Sequence, residues 1–258
     1  MSADPPGWSP PADIAGSTAV VTGAAGGIGA AVVDRLLTDG ATVIAVDVEP
    51  SGLEQLRARG ASVIVADLSD PADRASVIER CAGAEFLVNA AGILFVQPLM
   101  TVGLEAWRRI WSVNVDSMFF LCQGIGAAMP AGGAIVNLSS TSAKLATTVD
   151  LAPYGMTKLA ALGITRSFAS ELAPRRIRVN AICPGVIDTP MQDQVLEGIA
   201  GLRGITVEHL STERLRMVPL GRAGSPEECA GLIRFLLGPE SAYMTGQAIN
   251  ISGGLVTW

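Results

Sequence analysis

The stretch Ser17-Thr18-Ala19-Val20-Val21-Thr22-Gly23-Ala24-Ala25-Gly26-Gly27-Ile28-Gly29 decides the fold. A short apolar run, Ser17 to Thr22, ends in a glycine-rich turn. Helical periodicity then follows through Val32, Val33, Leu36 and Leu37 to a stop at Gly40. The reading is strand, turn, helix. Glycines such as Gly23 and Gly27 let backbone approach a pyrophosphate, whose charge would rest against the free N–H groups and positive dipole of the helix start, beside Ile28. A turn that merely packs a helix on a strand has the same spelling, so the motif alone leaves both readings open.

Working outward, the next strand, Thr42 to Val46, ends in Asp47, roughly 20 residues after the glycines. A carboxylate there is placed to accept both hydroxyls of an adenosine ribose and would repel a 2′-phosphate. Neither Gly26 nor Val48-Glu49 supplies an arginine to compensate, so NAD is favoured over NADP. The same rhythm continues. Ser51-Gly52-Leu53-Glu54 reads as a capping box opening a helix to about Arg59, Ser62 to Ala66 as a strand, and Asp70-Pro71 as a helix start. Further strands are expected at Phe86–Asn89, Ala134–Leu138, Arg178–Ile182 and Ala248–Ile251, with a capped helix at Ser225-Pro226-Glu227-Glu228. Strands alternating with crossover helices imply an α/β fold: a single Rossmann-type, doubly wound parallel sheet with helices on both faces. Ligands of such sheets lie beyond the strands' carboxyl ends, where Asp47, Asn89 and Ser140 are expected.

Tyr154 and Lys158 stand four residues apart at the head of an Ala-rich stretch. That spacing places phenol and ammonium on one helical face, where the cation would favour the phenolate and bring its pKa, ordinarily ~10, toward neutrality. Pro153 should hold the residue before it extended, so the helix should begin close to Tyr154. The single histidine, His209, falls in what reads as an irregular, Gly-containing region, which makes a Ser-His-Asp hydrolase a poor fit.

At 258 residues and 49% apolar composition, the chain can bury a large core, and no Pro/Ser-rich linker divides it after about residue 16. Residues 1–15, with Pro5, Pro6, Pro10 and Pro11, read as a flexible tail preceding one domain over 16–258. No apolar run reaches the ~18 residues of a membrane span. A net charge of −6 argues against nucleic acid and anionic membrane as partners, and Arg175, Arg176 and Arg178 read as a solvated helix end. Cys81, Cys122, Cys183 and Cys229 have no metal-site spacing, so no metal is expected and a reducing cytoplasm fits.

Taken together, these residues closely resemble the short-chain dehydrogenase/reductase family from Ser17 to Gly254. Thr22-Gly23 with Gly27-Ile28-Gly29 looks like its cofactor turn, Asp67-Leu68 its adenine-side acid, and Asn89-Ala90-Ala91-Gly92 its Asn-Ala-Gly segment. Asn114, Ser140, Tyr154 and Lys158 line up with its catalytic tetrad, and Cys183-Pro184-Gly185 with Thr189 and Tyr243-Met244-Thr245-Gly246-Gln247 complete the pattern. The resemblance implies that Tyr154 exchanges the alcohol proton and Ser140 hydrogen-bonds the substrate oxygen. Lys158 would lower the phenol's pKa and hold the nicotinamide ribose, and Asn114 would shape a water path from Lys158. Pro184, Gly185, Val186 and Thr189 would meet the nicotinamide. The Ser140–Tyr154 interval is one residue longer than usual in the family, which keeps Ser139 as a candidate. Aligning Gly133–Leu138 as the preceding strand favours Ser140 and leaves Ser139 to satisfy backbone.

The implied activity is hydride transfer between NAD(H) and a secondary alcohol or ketone, nearest in pattern to polyol and acetoin dehydrogenases, in a homotetramer. The apolar end Leu255, Val256 and Trp258 would pack at a subunit contact. Alternatives are a 3-oxoacyl-thioester reductase and a non-catalytic NAD-sensing protein. A mobile lid is expected over about 190–221, with Met191, Leu196, Ile199 and Met217 as an apolar lining. No arginine pair stands out in that segment, which argues against a strongly anionic substrate.

Overall fold

The computed structural model describes residues 12–145 and 149–258. Among these, β1 (Thr18–Thr22), β2 (Thr42–Asp47), β3 (Ser62–Val65), β4 (Phe86–Asn89), β5 (Ala134–Leu138), β6 (Arg178–Pro184) and β7 (Ala248–Ile251) form one sheet. Its order is β3-β2-β1-β4-β5-β6-β7, with every neighbouring pair parallel. The connections carry α1 (Gly27–Thr38), α2 (Pro50–Ala58), α3 (Pro71–Arg80), α4 (Leu104–Trp111), α5 (Ser117–Ala128), α6 (Ala152–Leu172), α7 (Pro190–Arg203), α8 (Val207–Arg216) and α9 (Pro226–Leu237).

Alternation along each strand divides the core between two faces. Ala19, Val21, Phe86, Val88, Ala134 and Val136 face the layer containing Val33 and Leu36 of α1 and Ile233 and Leu236 of α9. Val20, Leu87, Ile135 and Val179 face the layer of Leu121 and Ile125 from α5 and Phe168 from α6. Both faces are covered by helices, so the central strands read as continuous apolar runs rather than half-polar ones.

Strand order reverses between β1 and β4, which opens a crevice at their carboxyl ends. The two chain exits meet there closely. A Cβ on Gly23, whose φ is +65°, would lie 2.6 Å from the Ala91 nitrogen, and one on Gly29 would lie 2.0 Å from the Gly23 carbonyl oxygen. Glycine at these positions therefore lets β1, α1 and the segment after β4 pack without intervening side chains.

Several local expectations shift. The α2 cap is Glu49, which accepts from Ser51 N–H, with Pro50 in the first turn, so the box expected at Ser51 lies two residues too late. Helix α6 begins at Ala152, so the residue before Pro153 is helical; Pro153 sits in a first turn that needs no donor from it. Arg178 is buried rather than solvated, whereas Arg175 is exposed as expected. Arg175 donates to Gly126 O and Met129 O at the end of α5, and buried Arg178 to Leu236 O, Leu237 O and Gly238 O at the end of α9. Each cation caps a helix C-terminus, where its charge complements the dipole. Arg176 takes the left-handed conformation between them, at φ 60°.

Of the expected tail, Met1–Pro11 lies outside the described residues, but Ala12 N–H donates to Gly132 O and Ile14 is buried in the core. Val256 is buried within its own chain, held by Ser252, and Leu255 faces a cavity, which leaves Trp258 as the exposed apolar group of that end. The cysteines are buried and free. Among the described residues no helix is long and apolar enough to cross a membrane.

Replacing Gly29 by Ala forces backbone apart and is expected to lower stability by about 1–3 kcal/mol. Gly163, exposed inside α6 with open space at its Cβ, is the control. Gly163→Ala should raise stability by about 0.5–1 kcal/mol. Urea midpoints at unchanged slope measure both.

Candidate active site

A cavity of about 1030 Å³ opens at the carboxyl edge of the sheet. Gly23, Gly27, Ile28, Asp47, Ala90, Gly92, Ser140, Tyr154, Lys158, Pro184, Gly185, Val186 and Thr189 all line it. The glycine turn enters α1 through Gly26, which offers no side-chain cap, whereas Glu49, Asp70, Thr189, Thr206 and Ser225 cap α2, α3, α7, α8 and α9. The first N–H groups of α1 are thus uncapped at the cavity wall, and the donor set suits a phosphate. Asp47 braces the turn, with Oδ2 accepting from Ala25 N–H at 2.9 Å and Oδ1 from Glu49 N–H at 3.0 Å. A carboxylate offers about four acceptor sites, so these bonds leave it able to receive hydroxyls.

Four expected site residues stand behind the wall. Asn89 donates to Asn137 Oδ1 (2.8 Å) and Cys122 Sγ (3.3 Å), tying β4 to β5. Asn137 in turn donates to Thr165 Oγ1 on α6. Asp67 accepts from Ser69 and lies 3.2 Å from Arg109; burial works to raise its pKa, and those hydrogen bonds outweigh it and hold the carboxyl below its ordinary value. Leu68 packs in the core. Asn114 lies not in a regular helix but in a π-helical turn, Ser112–Asp116, between α4 and α5. Its Oδ1 accepts from Ile93 N–H at 2.8 Å, and its Nδ2 donates to Ile93 O and to Thr157 Oγ1. Thr157 Oγ1 donates to Tyr154 O, so one buried amide joins the segment after β4 to the turn of α6 that carries the tyrosine.

Tyr154 and Lys158 share a face of α6, as their spacing requires. The ammonium, however, lies 5.5 Å from the centre of the phenol ring and donates to Leu138 O at 2.9 Å. Ser140 is the side chain that works, as a hydrogen-bonding neighbour, to lower the phenol's pKa. Burial pushes the phenol up to about 12 despite that neighbour, and burial brings the ammonium down to about 8. The expected lowering of the tyrosine by the lysine is therefore overturned: desolvation outweighs a cation that faces a carbonyl rather than the phenolic oxygen. Ser139 donates to Lys158 O at 2.7 Å, leaving Ser140 as the serine at the phenol.

The expected lid is two helices, α7 and α8. Its root is closed by a parallel bridge of Ile187 with Gly224. Asp188 N–H donates to Gly224 O, and Gly224 N–H to Val186 O. Met191, Ile199 and Met217 line the cavity, while Leu196 packs into the apolar cluster beneath the lid. His209 is on α8, not in an irregular segment, and is exposed beside Glu213. Three lid arginines, Arg203, Arg214 and Arg216, also line the cavity, against the expectation of a wall free of paired arginines. The missed signal was helical spacing: Arg203 follows Ile199, and Arg214 follows Leu210, by one turn.

A sequence profile described as enoyl-(acyl carrier protein) reductase matches residues 23–256. Galactitol 2-dehydrogenase (L-tagatose-forming) of Cereibacter sphaeroides is 36% identical, over 94% of this chain and 96% of its own. The 3-oxoacyl-[acyl-carrier-protein] reductase of Thermotoga maritima is also 36% identical, over 93% of this chain and 98% of its own. Among solved structures, a blue fluorescent protein from a metagenomic library in complex with NADPH is 33% identical with a TM-score of 0.84, covering 95% of this chain and 100% of that one.

Asn114→Ala strips partners from Ile93 and Thr157 in a buried site. It is expected to cost about 2–4 kcal/mol of stability in chemical denaturation. A loss below about 1 kcal/mol would mean that the amide is dispensable to the packing.

Proposed function

Starting from the chain's membership of the short-chain dehydrogenase/reductase family, we propose that it is an NAD-dependent oxidoreductase acting on a secondary alcohol or its ketone, with Tyr154 as proton donor and acceptor. The observation that carries this reading is that Ser140, Tyr154 and the buried Lys158 line one cavity with the glycine turn, Tyr154 and Lys158 standing on the same face of α6.

A nicotinamide cofactor supplies hydride transfer when bound. The uncapped start of α1 would take its pyrophosphate, Asp47 its adenosine ribose, and Pro184, Gly185, Val186 and Thr189 its nicotinamide end, with Ala90 and Gly92 along the wall between. Asp67, Leu68 and Asn89 frame this site from behind. Ser140 donates to the substrate oxygen and stabilises charge developing there. Tyr154 gives that oxygen a proton in reduction and removes one in oxidation. Lys158 adds a positive charge beneath the phenol that is lost as pH rises through about 8, and Asn114 is a positioning residue acting through Thr157.

Asp47 favours NAD because a 2′-phosphate would meet its charge at a half-buried position. Reduction of a 3-oxoacyl thioester is a second reading, favoured by the Thermotoga maritima relative, whose name states that reaction. A non-catalytic NAD sensor would have no use for the Ser140, Tyr154 and Lys158 arrangement. The reading extends to a homotetramer in the cytoplasm. Free, buried cysteines suit a reducing compartment, and Phe119, Phe120, Met156 and Leu159 are exposed apolar groups on α5 and α6 that a second copy would cover.

Tyr154→Phe should lower turnover by about 10²–10⁴-fold with cofactor affinity unchanged. In wild type, oxidation needs the phenolate, whose fraction grows with pH below a pKa of about 12. Oxidation should therefore accelerate by about tenfold per pH unit through neutrality, while reduction, which uses the protonated phenol, stays level. Equal profiles in both directions would exclude Tyr154 as the titrating group.

Asp47→Ala should weaken NAD and improve relative use of NADP by about tenfold or more, read as the ratio of kcat/KM values. A wild type that already prefers NADP, and reduces acetoacetyl thioesters with it, would replace this reading by the second.

A further inference from the structure

Three arginines of the lid line the cavity of a chain whose formal net charge is −6. Arg203, Arg214 and Arg216 line the cavity, with Glu213 as the lid carboxylate among them. Glu213 lies 4.0 Å from Arg203 and 3.3 Å from His209 Nε2, so its charge is directed to those two groups. Arg214 has no carboxylate within ion-pair distance among the described residues, and its Nε is buried without a hydrogen-bond acceptor. An Nε donor shut away from water and left unpaired is costly, and the partly buried Arg214 lines the cavity, where a carboxylate or phosphate would be the acceptor a guanidinium bonds most strongly.

Helical spacing sets where these groups point. Leu210 lines the cavity and Arg214 follows it by one turn of α8, as Arg203 follows cavity-lining Ile199 on α7. The same aliphatic face packs on Leu151, three positions before Tyr154 in the chain. The lid helices that carry the arginines therefore pack on the segment just before Tyr154.

We propose that Arg214, with Arg203 beside it, binds an anionic oxygen terminus of the substrate, a carboxylate or a phosphate ester, and holds it at a distance from the carbon that reacts at Tyr154. This rests on the oxidoreductase reading above and narrows its substrate from a neutral alcohol to a hydroxy or keto acid or its phosphorylated counterpart. Burial, and then the charge of Arg203, both disfavour the Arg214 cation, and a bound anion offsets both. The planar fork of Arg214 suits two-point contact with a carboxylate or phosphate. Arg216, exposed at the same wall, adds attraction toward arriving anions, and Gln192 and Gln194 offer amides to substrate hydroxyls.

The test uses matched probes with NAD on the full chain: butan-2-ol against 3-hydroxybutyrate, and sorbitol against gluconate and sorbitol 6-phosphate. Wild type should favour the anionic member of a pair in kcat/KM. Arg214→Ala should raise KM for that member by about 10- to 100-fold while changing its kcat and the neutral member's constants little. Arg214→Lys should recover part of the loss, because it keeps the charge without the fork. A carboxylate and a phosphate source are separated by which anionic probe loses more in Arg214→Ala. Binding of the same anions to Tyr154→Phe, followed by calorimetry, reports on the subsite without turnover. Turnover of neutral alcohols with no preference for anions, and no change in Arg214→Ala, would overturn the subsite and leave the oxidoreductase reading intact. Anion binding to Tyr154→Phe that is lost on adding Arg214→Ala would uphold the subsite even if wild type turned over no probe. A rise in the cofactor's KM with every probe in Arg214→Ala would assign the arginine to cofactor phosphate and overturn the proposal.

Discussion

The Lys158 ammonium is buried to 4% exposure and makes its hydrogen bond to the Leu138 carbonyl. A charge so placed strongly disfavours its own ionised state, and the surrounding architecture is arranged to hold it there. The carbonyl comes from the last residue of β5, so the position of the ammonium is tied to the end of the sheet. Ser139, the next residue, donates back to the Lys158 carbonyl and fastens strand to helix a second time. Gly92 completes the pocket by leaving space: a Cβ there would come within 3.4 Å of both Lys158 Nζ and Asn114 Oδ1.

Two buried polar threads carry this precision from the sheet into α6. One runs from Asn89 through Asn137 to Thr165, and the other from Ile93 through Asn114 and Thr157 to the Tyr154 carbonyl. These buried hydrogen bonds would be lost together on a shift of register, so they favour one register of helix on sheet over its neighbours. The result is a phenol whose position depends on the order of the strands rather than on the loop that precedes it. The π-helical turn at Asn114 belongs to the same logic, since it turns a polar side chain inward between α4 and α5.

Charge is distributed unevenly around the cavity. Asp47 and Glu49 stand where β2 ends, and Arg203, Arg214 and Arg216 line the lid. The glycine turn between them is neutral in its side chains and presents backbone donors. One cavity therefore offers acceptors for hydroxyls, donors for phosphate and cations for an acidic group, in a chain whose net charge would by itself repel anions.

The α/β alternation, the strands, the glycine turn, Asp47 and the Tyr154–Lys158 face were legible in the sequence because each depends on local period or turn chemistry. The Asp70 and Ser225 caps were legible for the same reason. What escaped it joined residues remote along the chain. Arg178 looks like a solvated cation until β6 and α9 are placed side by side, and the Asn114 bonds exist only once the segment after β4 meets α6. The tyrosine's acidity followed neither spacing nor charge count, because burial, a property of the assembled cleft, outweighed the lysine. The lid arginines were visible as letters, yet only the packing of Leu210 and Ile199 on Leu151 turned them toward the cavity. Short-range order follows from neighbouring residues; desolvation and the pairing of distant groups are set by which elements the tertiary structure brings into contact.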